Sequence, residues 1–327
     1  MILFRRFKFV YWINNLIQRK KLNCNEDIYK KYGIKKSVVS LIQSKDLPPT
    51  TENEKPWLDK FNSSTEDLVT NIDFKKFSND IQLELLSWTK NGFLKLNNFY
   101  SSQECDEIND EIEKLLKTQT AKQRLDERVI FAIHQSKAIY EIANNKKLND
   151  VLSFILGKKV KLFQSLNFKK GSAQLAHSDT IHMTTYPLGY MIAAWIALED
   201  IKMDSGPLFY YPGSHKLPYV LNKDFHHEDS FFIHGKNTYK KYEQAIQDII
   251  EKNNLQKEIF LAKKGDVLIW HANLLHGGMP IENKELTRKS MVLHFYAEDV
   301  ISYHEITQRP AIFGGKEAEC AVTASER

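Results

Sequence analysis

A chain of 327 residues that is 42% hydrophobic and 27% charged fits one large globular domain with decorations, and excludes a fibrous, low-complexity or disordered protein. The net charge of +5 is unevenly placed: residues 1–50 hold 11 Lys/Arg against 3 Asp/Glu, so they carry +8 and the remainder −3. The basic character belongs to the N-terminus, and nucleic acid is not expected as a partner.

Residues 1–45 read as a basic amphipathic helical segment. Within 1–21, apolar residues from Ile2 to Ile17 are flanked by Arg5, Arg6, Lys8, Arg19, Lys20 and Lys21. Asn14 and Asn15 interrupt the apolar run and no small-residue cleavage site follows, so it is not a secretory signal. Two roles fit: a helix packed on the main domain or a partner, or one lying on an anionic membrane surface. No stretch approaches the roughly 20 apolar residues needed to cross a bilayer. Three scattered cysteines, Cys24, Cys105 and Cys320, argue against a disulfide framework and for a reducing compartment. A cytoplasmic location, with peripheral membrane contact through residues 1–21 as a variant, is expected.

Residues 46–66 contain Pro48, Pro49 and Pro56 among Ser, Thr and charged residues and read as a linker. The main domain, 67–305, opens with helical material around Phe74–Lys90 and a short strand at Gly92–Leu96. Ser101 with Glu104 three residues later is a capping-box signal, and Ile108, Ile112, Leu115 and Leu116 give the helix that follows one apolar face. From Lys159 the pattern changes to short β-favouring runs: Val160–Phe168, Met191–Leu198, Leu208–Tyr211, Glu258–Leu261, Asp266–Trp270 and Lys289–Tyr296. Tyr239–Asn253 reads as a helix inside an insertion, 221–257, a lid candidate; residues 306–327 read as a tail. The expected class is mainly β, a barrel or sandwich with flanking helices.

The chemistry concentrates in Leu175-Ala-His-Ser-Asp-Thr-Ile-His-Met183. On a strand, His177 and Asp179 leave the same face and could take adjacent positions on a metal. By itself His-x-Asp is common on surface turns. A third ligand is offered by Trp270-His-Ala-Asn-Leu-Leu-His-Gly-Gly278, in which both His276 and His271 are candidates; Gly277-Gly278 suits a chain turning closely past a metal and favours His276. Two histidines and one carboxylate on one face of an octahedron leave three open positions, the arrangement of non-haem Fe(II) oxygenases. Twelve residues beyond His276, strand alternation puts Arg288, Ser290, Val292 and His294 on one face. An inward arginine needs an anionic partner: either a bound carboxylate ligand, with Ser290 beside it, or a structural carboxylate such as Glu298 or Asp299.

Four blocks in order carry a family resemblance: Phe163–Gly171, the His177/Asp179 block, Ala194–Asp200 running into Ser205–Leu208 and Pro212–Lys216, and His276-Gly-Gly with Arg288. Over roughly Leu85 to Ala297 the chain resembles the phytanoyl-CoA dioxygenase family of Fe(II)/2-oxoglutarate oxygenases. The resemblance implies a double-stranded β-helix (jelly-roll, cupin-like) core. It implies iron held by His177, Asp179 and His276, and 2-oxoglutarate anchored by Arg288 and Ser290, with Gln164, Asn167 and Trp195 contacting the oxoacid and O2 as co-substrate. It further implies hydroxylation of a small-molecule, acyl or lipid-linked substrate. Asp179 favours hydroxylation over halogenation, since related halogenating enzymes lack that carboxylate, while desaturation or ring closure would need only a small change in substrate placement. A non-catalytic scaffold or a cupin-like metalloenzyme without 2-oxoglutarate would be the competing outcomes. Substrate identity and oligomeric state are not written in these motifs.

Overall fold

A computed structural model describes residues 7–60, 65–118, 128–225, 230, 232–235 and 237–313. The N-terminal helices α1 (Lys8–Ile17), α2 (Arg19–Leu22) and α3 (Glu26–Lys31) lead into the chain that brings Leu22, Tyr29, Val38, Val39 and Ile42 against Tyr186, Ile301 and Tyr303. The segment expected as a linker is packed over residues 46–60. Leu58 is fully buried in the main core, the Trp57 indole donates to the Phe154 carbonyl, and the Asp59 carboxylate lies 3.0 Å from His271 Nε2. Its Pro-rich composition hides these anchors, and residues 61–64 lie outside the described residues.

Helices α4 (Thr65–Thr70) and α5 (Asn79–Asn91) precede β1 (Phe93–Leu96). Gly92 ends α5 at φ 77°, a left-handed position where a Cβ would also collide with the His215 ring. In α6 (Ser102–Lys117) the capping box forms: Ser101 Oγ accepts from Glu104 N at 3.2 Å and the Glu104 carboxylate accepts from Ser101 N at 2.8 Å. Then follow β2 (Arg128–Ile130), α7 (Lys137–Ala143), α8 (Lys146–Leu156), β3 (Val160–Phe168), β4 (Thr184–Tyr186), β5 (Met191–Ala197) and β6 (Leu208–Tyr210). The insertion supplies α9 (Asn222–Phe225) and α10 (Thr238–Lys252). The chain closes with β7 (Glu258–Phe260), β8 (Val267–His271), β9 (His276–Gly278), β10 (Ser290–Ala297), β11 (Ile301–His304) and β12 (Arg309–Pro310).

A six-stranded antiparallel sheet in the order β1-β8-β5-β10-β3-β2 faces two three-stranded sheets, β12-β11-β4 and β7-β6-β9, in a jelly-roll core. One face of the large sheet, with Ile192, Ala194, Ile196, Ile269, Met291 and Leu293, packs on the helices through Ile108, Ile139 and Ile155. The other, with Ala193, Trp195, Leu268, Trp270 and Val292, meets Leu208, Tyr210 and Phe260 of a small sheet. Both faces of β5 are covered, so its sequence Met-Ile-Ala-Ala-Trp-Ile-Ala shows an apolar run without alternation.

Residues 306–313, read as part of a tail, join a sheet: β12 pairs with β11 at Tyr303↔Pro310 and His304↔Arg309. Proline is accommodated there because the strand is an edge. The buried Glu305 ties three segments together. Its Oε1 accepts from Ser44 Oγ at 2.6 Å and Asn222 N at 3.0 Å, and its Oε2 from Ser44 N at 3.2 Å. Glu305→Ala would strand two backbone donors; the expected loss is about 1–3 kcal/mol. It should appear as a lower urea midpoint at unchanged slope, and an unchanged midpoint would show that these donors find other partners.

Candidate active site

His177 and Asp179 do not share a regular strand. His177 forms an isolated antiparallel bridge with His276, and Asp179 opens the 3-10 turn Asp179–Ile181. The bridge is doubly hydrogen-bonded, His177 N to His276 O and His276 N to His177 O, each at 2.9 Å. Backbone pairing thus sets the two rings side by side, with centroids 4.5 Å apart. The turn then folds Asp179 towards them. Its Oδ1 lies 3.6 Å from His276 Nε2, and one ligand atom from each of the three residues falls within 4.8 Å of the others. Gly277 permits this closure: a Cβ there would sit 2.6 Å from the Gln174 carbonyl oxygen.

The donor atoms are prepared by their surroundings. His177 Nδ1 donates to the Leu175 carbonyl at 2.9 Å and His276 Nδ1 to the Leu274 carbonyl at 3.0 Å, which leaves both Nε2 atoms as the electron-pair donors. Burial lowers the His177 pKa to about 3, so its imidazole is neutral at ordinary pH. Burial alone would raise the Asp179 carboxyl, but the neighbouring His276 and His294 hold it well below the carboxylate range. The Trp270 indole donates to Asp179 Oδ2 at 2.7 Å, turning Oδ1 to the histidines. Nothing in the sequence linked Trp270 to a residue 91 positions away. His271, the competing candidate, is elsewhere: its Nε2 faces Asp59 and its Nδ1 accepts from Asn273 N at 3.0 Å.

Both triad and Arg288 line one cavity of about 680 Å³. Arg288 precedes β10 and is 2% exposed, with its guanidinium carbon 5.0 Å from the Phe168 ring centre and 5.8 Å from that of Trp195. It donates to Ser290 Oγ at 2.8 Å, while its Nε has no partner. Neither Glu298 nor Asp299 pairs with it, and no described carboxylate makes an ion pair to it. Burial lowers its pKa to about 10, with Glu199 opposing from a distance. A buried cation without a counter-charge is costly, and the Arg288 guanidinium offers that unmatched charge to the cavity.

Gln164 and Trp195 also line the cavity, and the Trp195 indole N–H is buried without a partner. Asn167 is not brought there. It pairs with Met291 in register, on the sheet face covered by helices, and neither side-chain polar atom has a partner. Strand alternation is the reason: Gln164 and Asn167 are an odd three apart, so they take opposite faces. The insertion contributes Tyr239 to the cavity, and Tyr242 Oη accepts from Ser178 N at 2.8 Å. The insertion's His234 is 6% exposed and lies beside Tyr11.

The family model for phytanoyl-CoA dioxygenase matches residues 88–290. The peroxisomal phytanoyl-CoA dioxygenase of Bos taurus is 22% identical over 264 residues, covering 72% of this chain and 71% of that protein. The ectoine dioxygenase of Sphingopyxis alaskensis is 28% identical over 212 residues, covering 58% and 68%. Among solved structures, a non-heme alpha ketoglutarate dependent carbocyclase from nogalamycin biosynthesis has a TM-score of 0.55 at 15% identity, covering 71% of this chain and 89% of its own. The S. alaskensis ectoine enzyme with 2-oxoglutarate and 5-hydroxyectoine has a TM-score of 0.51 at 19% identity, covering 68% and 78%. These likenesses are to jelly-roll oxygenases and establish the fold.

Proposed function

The chain belongs to the phytanoyl-CoA dioxygenase family, and from that premise we propose that it hydroxylates an unactivated C–H bond of a small-molecule, acyl or lipid-linked substrate. It is an iron- and 2-oxoglutarate-dependent dioxygenase. One observation carries the assignment of residues: a buried arginine without a carboxylate partner shares a cavity with a buried His-Asp-His cluster. His177, Asp179 and His276 would hold the iron. Arg288 and Ser290 would take the distal carboxylate of 2-oxoglutarate, with Trp195 and Gln164 beside it. Bound iron would supply the activation of O2, the oxidant: 2-oxoglutarate and the substrate would each give up two electrons, with one oxygen atom leaving in succinate beside carbon dioxide and the other in the hydroxylated product.

The chain's own work is positional. The Leu175 and Leu274 carbonyls fix both imidazole tautomers, and the Trp270 indole fixes the carboxylate. The buried triad and the aromatic walls formed by Phe163, Phe168 and Tyr239 keep bulk water from the reacting centre. The insertion, through Tyr239 with the buried Tyr242 stacked behind it, would form a wall of the cavity and help hold the substrate's C–H bond towards the metal.

Anaerobic addition of Fe(II) and 2-oxoglutarate to the protein should produce a visible metal-to-ligand charge-transfer band, which decays with succinate formation once oxygen is admitted. A folded protein that retains iron but shows no band with 2-oxoglutarate would overturn this function.

A further inference from the structure

Helix α1 is inverted relative to an ordinary surface helix. Phe9, Trp12, Ile13, Leu16 and Ile17 follow the spacing of one apolar helix face, which would normally be buried against the domain. Here that face points outward: Ile17 is 74% exposed, Phe9 54%, Trp12 46%, Ile13 45% and Leu16 38%. The inward face is anchored by polar groups instead. Asn15, fully buried, donates from Nδ2 to the Val39 carbonyl at 3.0 Å, and Lys8 is buried beside it on the helix. A further exposed aromatic adjoins the start of the helix: Lys8 N donates to the Phe232 carbonyl at 2.9 Å and Phe232 is 69% exposed.

Charge identifies the occupant. Residues 1–25 contain six Lys/Arg and no Asp/Glu, and Arg19 and Lys20 are exposed at the end of the apolar face. A second copy of this chain would bring the same basic rim against itself. An anionic phospholipid surface complements both features, since aromatic side chains settle among the headgroups while the cations pair with lipid phosphate. The helix also stands at the mouth of the active site. Asn14 lines the cavity together with Arg309, Pro310, Ala311 and Ile312, and the Arg309 guanidinium carbon lies 5.3 Å from the Tyr11 ring centre.

We propose that α1 and Phe232 form a docking face for an anionic bilayer, which sets the mouth of the catalytic cavity at the lipid surface so that a lipid-borne substrate enters there. Docking stands on the exposed face alone; delivery of substrate rests also on the oxygenase function. No described helix is long and apolar enough to cross a membrane, so the contact is peripheral.

The test is co-sedimentation of the full chain with vesicles of equal parts phosphatidylglycerol and phosphatidylcholine, against pure phosphatidylcholine. Binding should be at least ~10-fold tighter to the anionic vesicles. Tryptophan emission should shift to the blue on binding, and Trp12→Phe should lose that shift. Ile13→Ser/Ile17→Ser and Arg19→Glu/Lys20→Glu, all at exposed positions, should each weaken binding at least ~10-fold with unchanged melting and an unchanged iron–oxoacid band. His177→Ala, which disables the metal site, should bind vesicles as the parent does, so a failed oxygenase assignment and a failed docking face are distinguishable. Absent binding, or equal binding to neutral vesicles, would overturn the proposal. So would a dimer in solution that Ile13→Ser/Ile17→Ser converts to monomer, which would assign the face to a second copy.

Discussion

His276→Ala should abolish iron retention and the charge-transfer band with little change in stability, and His271→Ala should keep both while lowering stability. The two residues are five apart in one block, and sequence alone admits either as the third ligand. Their surroundings separate them. His276 is paired across a two-hydrogen-bond bridge with His177, and its Nε2 is 3.6 Å from the Asp179 carboxylate. Removing it would take one of the three proposed ligands, so iron affinity should fall by more than the ~10–100-fold typical of losing an outer-shell partner. Fold stability in the metal-free state should change little, because the bridge between residues 177 and 276 is made by backbone atoms. His271 instead faces Asp59, in the segment that brings Leu58 into the core. Its removal strands the carboxylate and the Asn273 N–H, at about 1–3 kcal/mol, with iron binding retained. Anaerobic iron titration and chemical denaturation of both variants decide the matter. Iron lost from His271→Ala and kept by His276→Ala would reverse the assignment.

What the sequence revealed and what it concealed divide along physical lines. The helix starting at Ser101 was legible because a capping box is a local device, complete within four residues. His276 was legible for a less secure reason, the paired glycines after it. The bridge that brings it to His177 joins positions 99 residues apart and leaves no local sign. Asn167 shows the opposite case: its odd offset from Gln164 already sends it to the other sheet face, and the family pattern outweighed that signal. The segment around Leu58 was obscured by averaging, since prolines and charges surround a single buried turn. In α1 the amphipathic pattern was plain, but periodicity cannot say which face meets the domain. That depends on Asn15 finding the Val39 carbonyl, a tertiary contact.

Arg288→Met should make the ligand-free protein more stable and leave it almost unable to bind 2-oxoglutarate. The two effects share one cause. Arg288 is 2% exposed, its Nε is unpartnered, and the lowered pKa reports the burial of its charge. Replacing such a cation by an apolar chain of similar length relieves desolvation, and substitutions of this kind stabilise by about 1–4 kcal/mol. A bound dicarboxylate would supply the missing counter-charge through two parallel hydrogen bonds, with Ser290 Oγ already 2.8 Å from Nη1. Truncating one member of a buried charge pair costs about 2–5 kcal/mol, which is at least ~30-fold in affinity at 1.4 kcal/mol per tenfold. Arg288→Lys should fall between, since an ammonium keeps the charge without the two-pronged geometry. Thermal melting with and without 2-oxoglutarate reads both effects together. At about 100 times its Kd the ligand should stabilise the parent protein by about 2.7 kcal/mol and shift Arg288→Met hardly at all. An equal ligand shift in the two proteins would remove Arg288 from the oxoacid site. A less stable ligand-free Arg288→Met would show that the buried guanidinium is compensated by the rings of Phe168 and Trp195 rather than held for an anion.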